Sequence, residues 1–351
     1  MPSSHGSEDA ALGAVLGALV GDAAGAVLEF LGRPVTPADV AHALTMPGGG
    51  TWELAPGQVT DDGELTMSLL RALVEFDRRP RHYATPSVSV ARWYAQWASS
   101  EPFDMGVTTR RSIGCLRDAE WVDRAHEAGI AIAMKEAASA RCTESKANGS
   151  LMRATPLGVW GASRDRETLV CAATEDARLS HPNDACVHAV VAYTLAIATL
   201  VRSPGSATEA FDDAYAYLAS KPESEVFAWL KDAKNDVRVP FTPQDGFVRI
   251  AFTHAFRHLA RGTSYEEAIA ETLLGGGDTD TNACVVGGLL GARWGISVIP
   301  ESMRHAVLGC RTERGNNPRP ADYHPQDTLA LVRALLRTEP APSSLAVQTR
   351  S

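Results

Sequence analysis

Residues 13–25 read GAVLGALVGDAAG, and their glycine repeat decides how this part of the 351-residue chain packs. Apolar residues recur at helical spacing from Leu12 through Val15 to Val20, which predicts one buried stripe of a helix. A second face is nearly bare backbone, because every fourth residue is glycine: Gly13, Gly17, Gly21 and Gly25. Glycine costs about 1 kcal/mol in a helix relative to alanine. The repeat therefore predicts that another helix or a loop approaches this face closely.

The segment around this repeat is apolar enough to suggest a signal peptide or a membrane span. It has no basic leader, it starts with Glu8 and Asp9, and it carries Asp22 in its middle. We therefore expect a buried helix of a soluble protein. No other stretch is expected to approach the length of a membrane span.

Composition and charge narrow the class of protein. The chain is 45% hydrophobic and 21% charged, which is typical of a globular protein. A net charge of −9 argues against general nucleic-acid binding, because affinity for phosphates comes mainly from Lys and Arg. The six cysteines form no CxxC pair, which indicates reduced thiols and predicts a cytoplasmic protein.

Helical periodicity dominates the chain and predicts one all-α domain over 8–338, with flexible termini at 1–7 and 339–351. The best strand candidate, SVSVARW from residue 87, blends into a helical pattern. Besides the N-terminal helix, helices are predicted near 63–78, 87–99, 124–139, 166–179, 184–201, 206–219, 246–261, 281–294 and 326–337.

The stretch GGGDTDTN at 275–282 precedes one of these helices and is the most unusual motif of the chain. A calcium loop would need glycine and a bidentate acid where Ala283 and Leu289 stand, so that interpretation fails. A phosphatase nucleophile loop would follow a buried strand, and LLGGG is not one. Two interpretations stay open, a simple helix cap after a glycine turn and half of a metal site at a helix start.

A second helix start carries the same residue types. Thr60 is a plausible cap, and Asp61 and Asp62 follow it in the first turn. If the two starts meet, four aspartates share one pocket, and two divalent cations would balance their charge. The sequence does not by itself show that they meet.

Six stretches resemble the ADP-ribosylglycohydrolase family, which contains dinitrogenase-reductase-activating glycohydrolase and the ADP-ribosylhydrolases. Each is weak alone, and their order and spacing make the resemblance specific. They are GALVGDAAGAVLEF (17–30), VTDDGELTMSLLRAL (59–73), FDMGVTTR (103–110), KANGSLMRATPLG (146–158), SHPNDACVHA (180–189) and GGDTDTNACVVGGLLGA (276–292).

The resemblance implies an orthogonal helical bundle with two Mg²⁺ or Mn²⁺ ions. It implies that the catalytic residues are Glu29, Asp62 and Asp278, although the segment around Glu29 varies among relatives. The implied metal ligands are Thr60, Asp61, Asp62, Asp278, Asp280 and Thr281. The implied contacts of the ADP-ribose are Gly106, Thr109, Asn148, Gly149, Ser150 and His181.

The expected activity is hydrolysis of the glycosidic bond at ribose C1″ of ADP-ribosylated acceptors, above all arginine on protein. Serine-linked, poly- or O-acetyl-ADP-ribose are alternative substrates. A non-catalytic ADP-ribose-binding or immunity protein and a two-metal phosphodiesterase are alternative functions. We expect a monomer that binds neither membranes nor nucleic acid in general.

Several other residues have a chemical and a structural interpretation. For His254, His258 and Cys284 the sequence favours packing over metal binding or nucleophilic attack. Arg153 is interpreted either as a phosphate contact or as a helix cap. Stacking of Tyr323 or His324 on adenine is left open.

Overall fold

The computed structural model describes residues 4–78 and 85–337, and within these ranges the fold is all-α. No strand forms in the described part; two isolated bridges pair Gly49 with Leu54 and Ala147 with Phe247. The helices are α1 (Ser4–Gly25), α2 (Pro37–Ala43), α3 (Asp61–Arg78), α4 (Ser87–Ser99), α5 (Val107–Ser112), α6 (Ala119–Ala128), α7 (Ile130–Arg141), α8 (Thr155–Gly161), α9 (Arg166–Arg178), α10 (Asp184–Arg202), α11 (Ala207–Ala219), α12 (Glu225–Lys234), α13 (Val248–Arg261), α14 (Tyr265–Gly275), α15 (Thr279–Trp294), α16 (Glu301–Leu308) and α17 (Thr328–Arg337).

The glycine face of α1 packs against α15, backbone to backbone, with the two helices antiparallel. A Cβ atom added to Gly17 would overlap the carbonyl oxygen of Gly287, and one added to Gly287 would overlap that of Gly17. The same reciprocal relation holds one turn away between Gly13 and Gly291, and in the other direction a Cβ atom added to Gly21 would overlap the carbonyl oxygen of Ala283. The expected close approach is therefore present, and its partner is the helix that follows GGGDTDTN.

The other long apolar helix, α10, crosses the middle of the core. By length and composition it is the one helix of the described residues that could span a membrane, with a mean hydropathy of 1.7. Inside the protein 89% of that window is buried. The expectation that no second stretch approaches membrane length was wrong, because a core helix buried on all sides has the same composition as a span.

Most predicted helices are present within one or two residues of their expected bounds. The predicted helix over 124–139 is divided into α6 and α7 at Gly129, which has a left-handed φ of 97°. Residues 4–7, expected in a flexible terminus, belong to the first turns of α1. Residues 1–3 and 339–351, the rest of the predicted flexible termini, lie outside the described residues. The periodicity missed the shorter helices α2, α5, α8, α12, α14 and α16.

Replacing Gly287 with alanine tests the α1–α15 contact. Alanine favours an isolated helix by about 1 kcal/mol over glycine. Here we expect the reverse, a loss of about 1–3 kcal/mol in the free energy of unfolding, because the added methyl group meets the backbone of Gly17. Urea denaturation measures the change. Gly114→Ala is the control, since the atoms nearest to its added Cβ lie 3.9 Å away; equal effects of the two substitutions would contradict the interpretation.

Candidate active site

The two acidic helix starts that the sequence analysis paired do meet. The Thr281 hydroxyl donates to Asp62 Oδ2 over 3.2 Å, which links the first turn of α15 to that of α3. Thr60 Oγ1, directly before α3, lies 3.3 Å from Asp280 Oδ2. Both contacts are buried, so the two turns form one interior wall.

Glu29, beyond the C-terminal end of α1, joins this wall. Its carboxylate oxygen and those of Asp278 and Asp280 all lie within 4.8 Å of one another, a grouping that could hold a metal ion. The indole of Trp52 donates to Glu29 Oε2 over 3.1 Å. The side-chain amide of Asn148 donates to Asp278 Oδ2 over 2.7 Å. Each of these two carboxylates is thus held from outside the cluster by a neutral donor.

Asp22 is a functional candidate that the sequence analysis used only as a sign against a membrane span. It is fully buried in α1 and accepts hydrogen bonds from the backbone N–H groups of Thr60 (3.1 Å) and Gly63 (2.8 Å). It also accepts the Thr60 hydroxyl over 2.9 Å. The same hydroxyl oxygen also lies 3.5 Å from Asp62 Oδ2 and 3.3 Å from Asp280 Oδ2. A charged residue within a stripe of small residues was the signal that could have identified it.

Burial and mutual repulsion raise the pKa values across the cluster. Burial raises the pKa of Glu29 to about 8, helped by the charges of Asp104 and Asp278. Burial also raises the pKa of Asp22 to about 7 and that of Asp104 to about 6. The pKa values of three further carboxyls lie well above their ordinary range for the same two reasons, burial first: Asp61, Asp62 and Asp280.

The donor set fits a hard divalent cation. One carboxylate oxygen of Asp62 is buried without any hydrogen-bond partner among the described residues. Thr60 Oγ1 lies within 3.5 Å of carboxylate oxygens of Asp22, Asp62 and Asp280, and its one proton can be donated to only one of them, so a cation would suit the remaining oxygens. The potential ligands are all oxygens, as Mg²⁺ and Mn²⁺ prefer. Of the predicted ligands, Asp278 and Asp280 form the close grouping with Glu29 that could hold such an ion. The other predicted ligands are Thr60, Asp61, Asp62 and Thr281, on the first turns of the same two helices or directly before them.

Most of the predicted ADP-ribose contacts lie together beside the cluster. Asn148 connects their loop to Asp278, and a Cβ atom added to Gly149 would lie 2.9 Å from His181 Cε1 and 3.3 Å from Thr109 Oγ1. The Ser150 hydroxyl is buried and has no partner among the described residues. Gly106 lies directly before α5, with open space around its Cα atom.

Arg153 shapes this loop from inside the protein. It is fully buried and donates to the carbonyl of Gly149 (2.9 Å) and to Ser180 Oγ (2.8 Å). Its guanidinium lies 3.5 Å from the carboxylate of Asp176 and 4.6 Å from the ring centroid of Tyr94. Arg153 also donates to the carbonyl of Asp176, in the last turn of α9, over 3.1 Å. The helix-cap interpretation is therefore confirmed, and full burial makes the phosphate contact wrong. Burial and the charge of Arg153 lower the pKa of His181 to about 3, which makes that imidazole neutral.

The structure also decides the other open interpretations. His254 bonds the carbonyl of Val239 and stacks on Phe241, and His258 bonds Thr263, so both are packing residues as favoured. Cys284 is buried, its thiol donates to the carbonyl of Met152, and burial raises its pKa, so it is no nucleophile. Tyr323 is buried, so its ring does not stack on adenine. His324 is half-buried, and its imidazole bonds the carbonyl of Arg319.

Comparisons with known proteins point to one family. Residues 3–340 match the family model described as ADP-ribosylglycohydrolase. The chain is 28% identical over 306 residues to the ADP-ribosyl-[dinitrogen reductase] glycohydrolase of Rhodospirillum rubrum, covering 85% of this chain and 89% of that protein. It is 27% identical over 302 residues to an ADP-ribosylarginine hydrolase of Pseudomonas putida, covering 83% of this chain and 72% of that protein. A solved structure described as an ADP-ribosylglycohydrolase-related protein complex is similar in fold, with a TM-score of 0.67, 23% identity and coverage of 96% of this chain and 100% of that one.

The raised pKa values predict how pH and metal act on stability. Between about pH 4 and pH 8 the folded metal-free protein binds more protons than the unfolded chain, so its free energy of unfolding falls as pH rises. Bound cations favour the ionised carboxylates. We therefore expect Mg²⁺ or Mn²⁺ to raise the melting temperature more at about pH 8 than at about pH 6.

Differential scanning fluorimetry with and without a chelator measures this difference. Asp280→Asn should reduce the metal-dependent shift, whereas the exposed Asp212→Asn should leave it unchanged. A metal effect of equal size at both pH values would contradict the role of the raised pKa values.

Proposed function

The chain belongs to the ADP-ribosylglycohydrolase family, and we propose that this glycosidic-bond hydrolase releases ADP-ribose from ADP-ribosyl-arginine on protein with two Mg²⁺ or Mn²⁺ ions. The observation that carries the proposal is the meeting of the two acidic helix starts beside Glu29. The arginine linkage is supported by the name of the Pseudomonas putida relative, and the protein acceptor by that of the Rhodospirillum rubrum relative.

Cleavage at ribose C1″ builds positive charge on the sugar ring and needs a water molecule on the face opposite the leaving group, or a carboxylate in its place. Divalent cations held by the cluster would bind ribose hydroxyls and position that water. Glu29 is suited to orient the water and, once bound cations keep its carboxylate ionised, to accept a proton, because the Trp52 indole fixes the carboxylate. Asp62 and Asp278, the other proposed catalytic residues, share the same wall.

The diphosphate end of the ligand requires donors rather than a basic patch. The loop at 148–150 offers the unpartnered Ser150 hydroxyl, and His181 is a neutral imidazole beside it. Gly106 and Thr109 extend this side of the site. Such a ligand surface accounts for binding of a doubly negative group by a chain of net charge −9. A monomer acting in the cytoplasm on modified proteins completes the proposal.

The direct test is incubation of the protein with arginine-, serine- and O-acetyl-linked ADP-ribose substrates in Mg²⁺ or Mn²⁺, with and without chelator. We expect metal-dependent release of intact ADP-ribose, fastest from arginine. Release of AMP would instead support phosphodiester cleavage, which chromatography of the products detects. Tight binding of ADP-ribose without turnover would support a non-catalytic binding protein.

Asp61→Ala and Asp280→Ala test the cluster itself. We expect each to lower turnover by at least about a hundredfold, because each removes a ligand and leaves its neighbours without a cation. Far-ultraviolet circular dichroism should remain helical. Asp212→Ala, an exposed aspartate of α11, is the matched control and should keep full activity. Unchanged turnover in both cluster variants would remove these residues from the site.

A further inference from the structure

A groove of about 550 Å³ opens from the carboxylate cluster, and Glu29 and Asp278 line it. Its other walls are the segment 28–35 that follows α1, the loop 242–246, and the glycine turn before α15 at 274–278. Gly246 of this loop accepts a hydrogen bond from the backbone of Asn148 over 3.0 Å, so the groove and the 148–150 loop border the same cluster. The volume is within the range of small-ligand sites.

The charges of the groove favour a cationic occupant. Arg33 is the one basic residue among the residues that line it, and both of its terminal nitrogens bond the carboxylate of Asp39, at 2.7 and 2.8 Å. Its charge is therefore already compensated. Asp245 is exposed, and no hydrogen bond or ion pair of its carboxylate is found among the described residues. Apart from the carboxylate cluster, Asp245 is the residue of the groove whose charge has no compensating partner among the described residues.

An aromatic surface lies at the same opening. Phe30 is 65% exposed, and its backbone has a left-handed φ of 57°, which is costly for a bulky residue. Its ring lies edge-on to Trp52 with the centroids 6.2 Å apart, and Trp52 in turn packs on Phe103 at 5.7 Å. Guanidinium groups stack on aromatic faces, and exposed pairs of this kind contribute modestly to affinity.

We propose that this groove is the acceptor subsite and receives the arginine side chain of a protein substrate, with Phe30 and Asp245 as the residues that select it. The guanidinium group stacks on Phe30 and pairs with Asp245, while C1″ lies at Glu29 and Asp278. This assignment rests on the proposed function, because it uses the same carboxylates as the reaction centre. Serine and acetyl acceptors carry no positive charge and gain nothing from either residue.

Steady-state kinetics of Phe30→Leu and Asp245→Asn test the subsite. With an ADP-ribosyl-arginine peptide we expect each substitution to raise KM about two- to fivefold and to leave kcat nearly unchanged, because both contacts are partly exposed. Phe30→Tyr should restore the wild-type KM. Inhibition by free ADP-ribose, which has no acceptor, should be unchanged in every variant. Tyr215→Leu and Asp212→Asn are matched controls on α11.

Binding of an unmodified arginine peptide, measured by calorimetry, tests the groove without turnover. Wild type should bind it better than a citrulline peptide, in a salt-sensitive way, and both groove variants should lose this preference. Hydrolysis of arginine-linked substrate with unchanged KM in both variants would overturn the subsite but leave the proposed function intact. If wild type hydrolyses nothing yet shows the peptide preference, the proposed function fails and the arginine groove stands. Equal binding of the two peptides by wild type overturns the groove.

Discussion

The contact between the glycine faces of α1 and α15 is the constraint on which the site depends. The two helices are antiparallel, and their backbones touch along four turns. Sliding one helix along the other would bring side chains against this backbone contact, so the register is fixed. This register brings the end of α1 to the start of α15, where the Thr279 hydroxyl donates to the carbonyl of Gly25 over 2.8 Å. Asp22 and Glu29, on either side of that end, are thereby placed beside Asp278 and Asp280.

The same geometry concentrates negative charge in the interior, which a fold ordinarily avoids. Two features reduce the cost. The first turns of α3 and α15 present the positive ends of their dipoles to the carboxylates. Asp22 receives two backbone N–H groups and the hydroxyl of Thr60. These contacts offset only part of the repulsion between the carboxylates. The remainder is visible in the raised pKa of Asp62 and in its buried oxygen that has no partner among the described residues. The protein thus holds its carboxylates in an arrangement that either protonation or a bound cation would stabilise.

The parts of this arrangement that are local in the chain could be predicted from the sequence. Periodicity located the long helices, and the glycine repeat predicted a close neighbour for α1 without saying which one. That TDD at 60–62 and DTDT at 278–281 meet depends on tertiary register, and the sequence provided it only through a family resemblance. Asp22 was missed because its charge within an apolar helix was taken only as evidence against a membrane span, although a buried acid among small residues also marks a site. The stacking of Tyr323 on adenine stayed open because nothing in a loop sequence distinguishes a buried ring from an accessible one.

The carboxylates lie on helix starts, whereas the groove walls are irregular segments, and this difference bears on specificity. The cluster is built on helix starts whose positions are set by backbone contact, so substitutions there alter the reaction as a whole. The groove walls at 28–35 and 242–246 are irregular segments outside that contact, and they bear Phe30 and Asp245. Changes in these segments can alter the acceptor while the helix pair and its carboxylates stay in place. Under the proposed subsite, relatives that share this carboxylate cluster would differ in the linkage they cleave when these two segments differ.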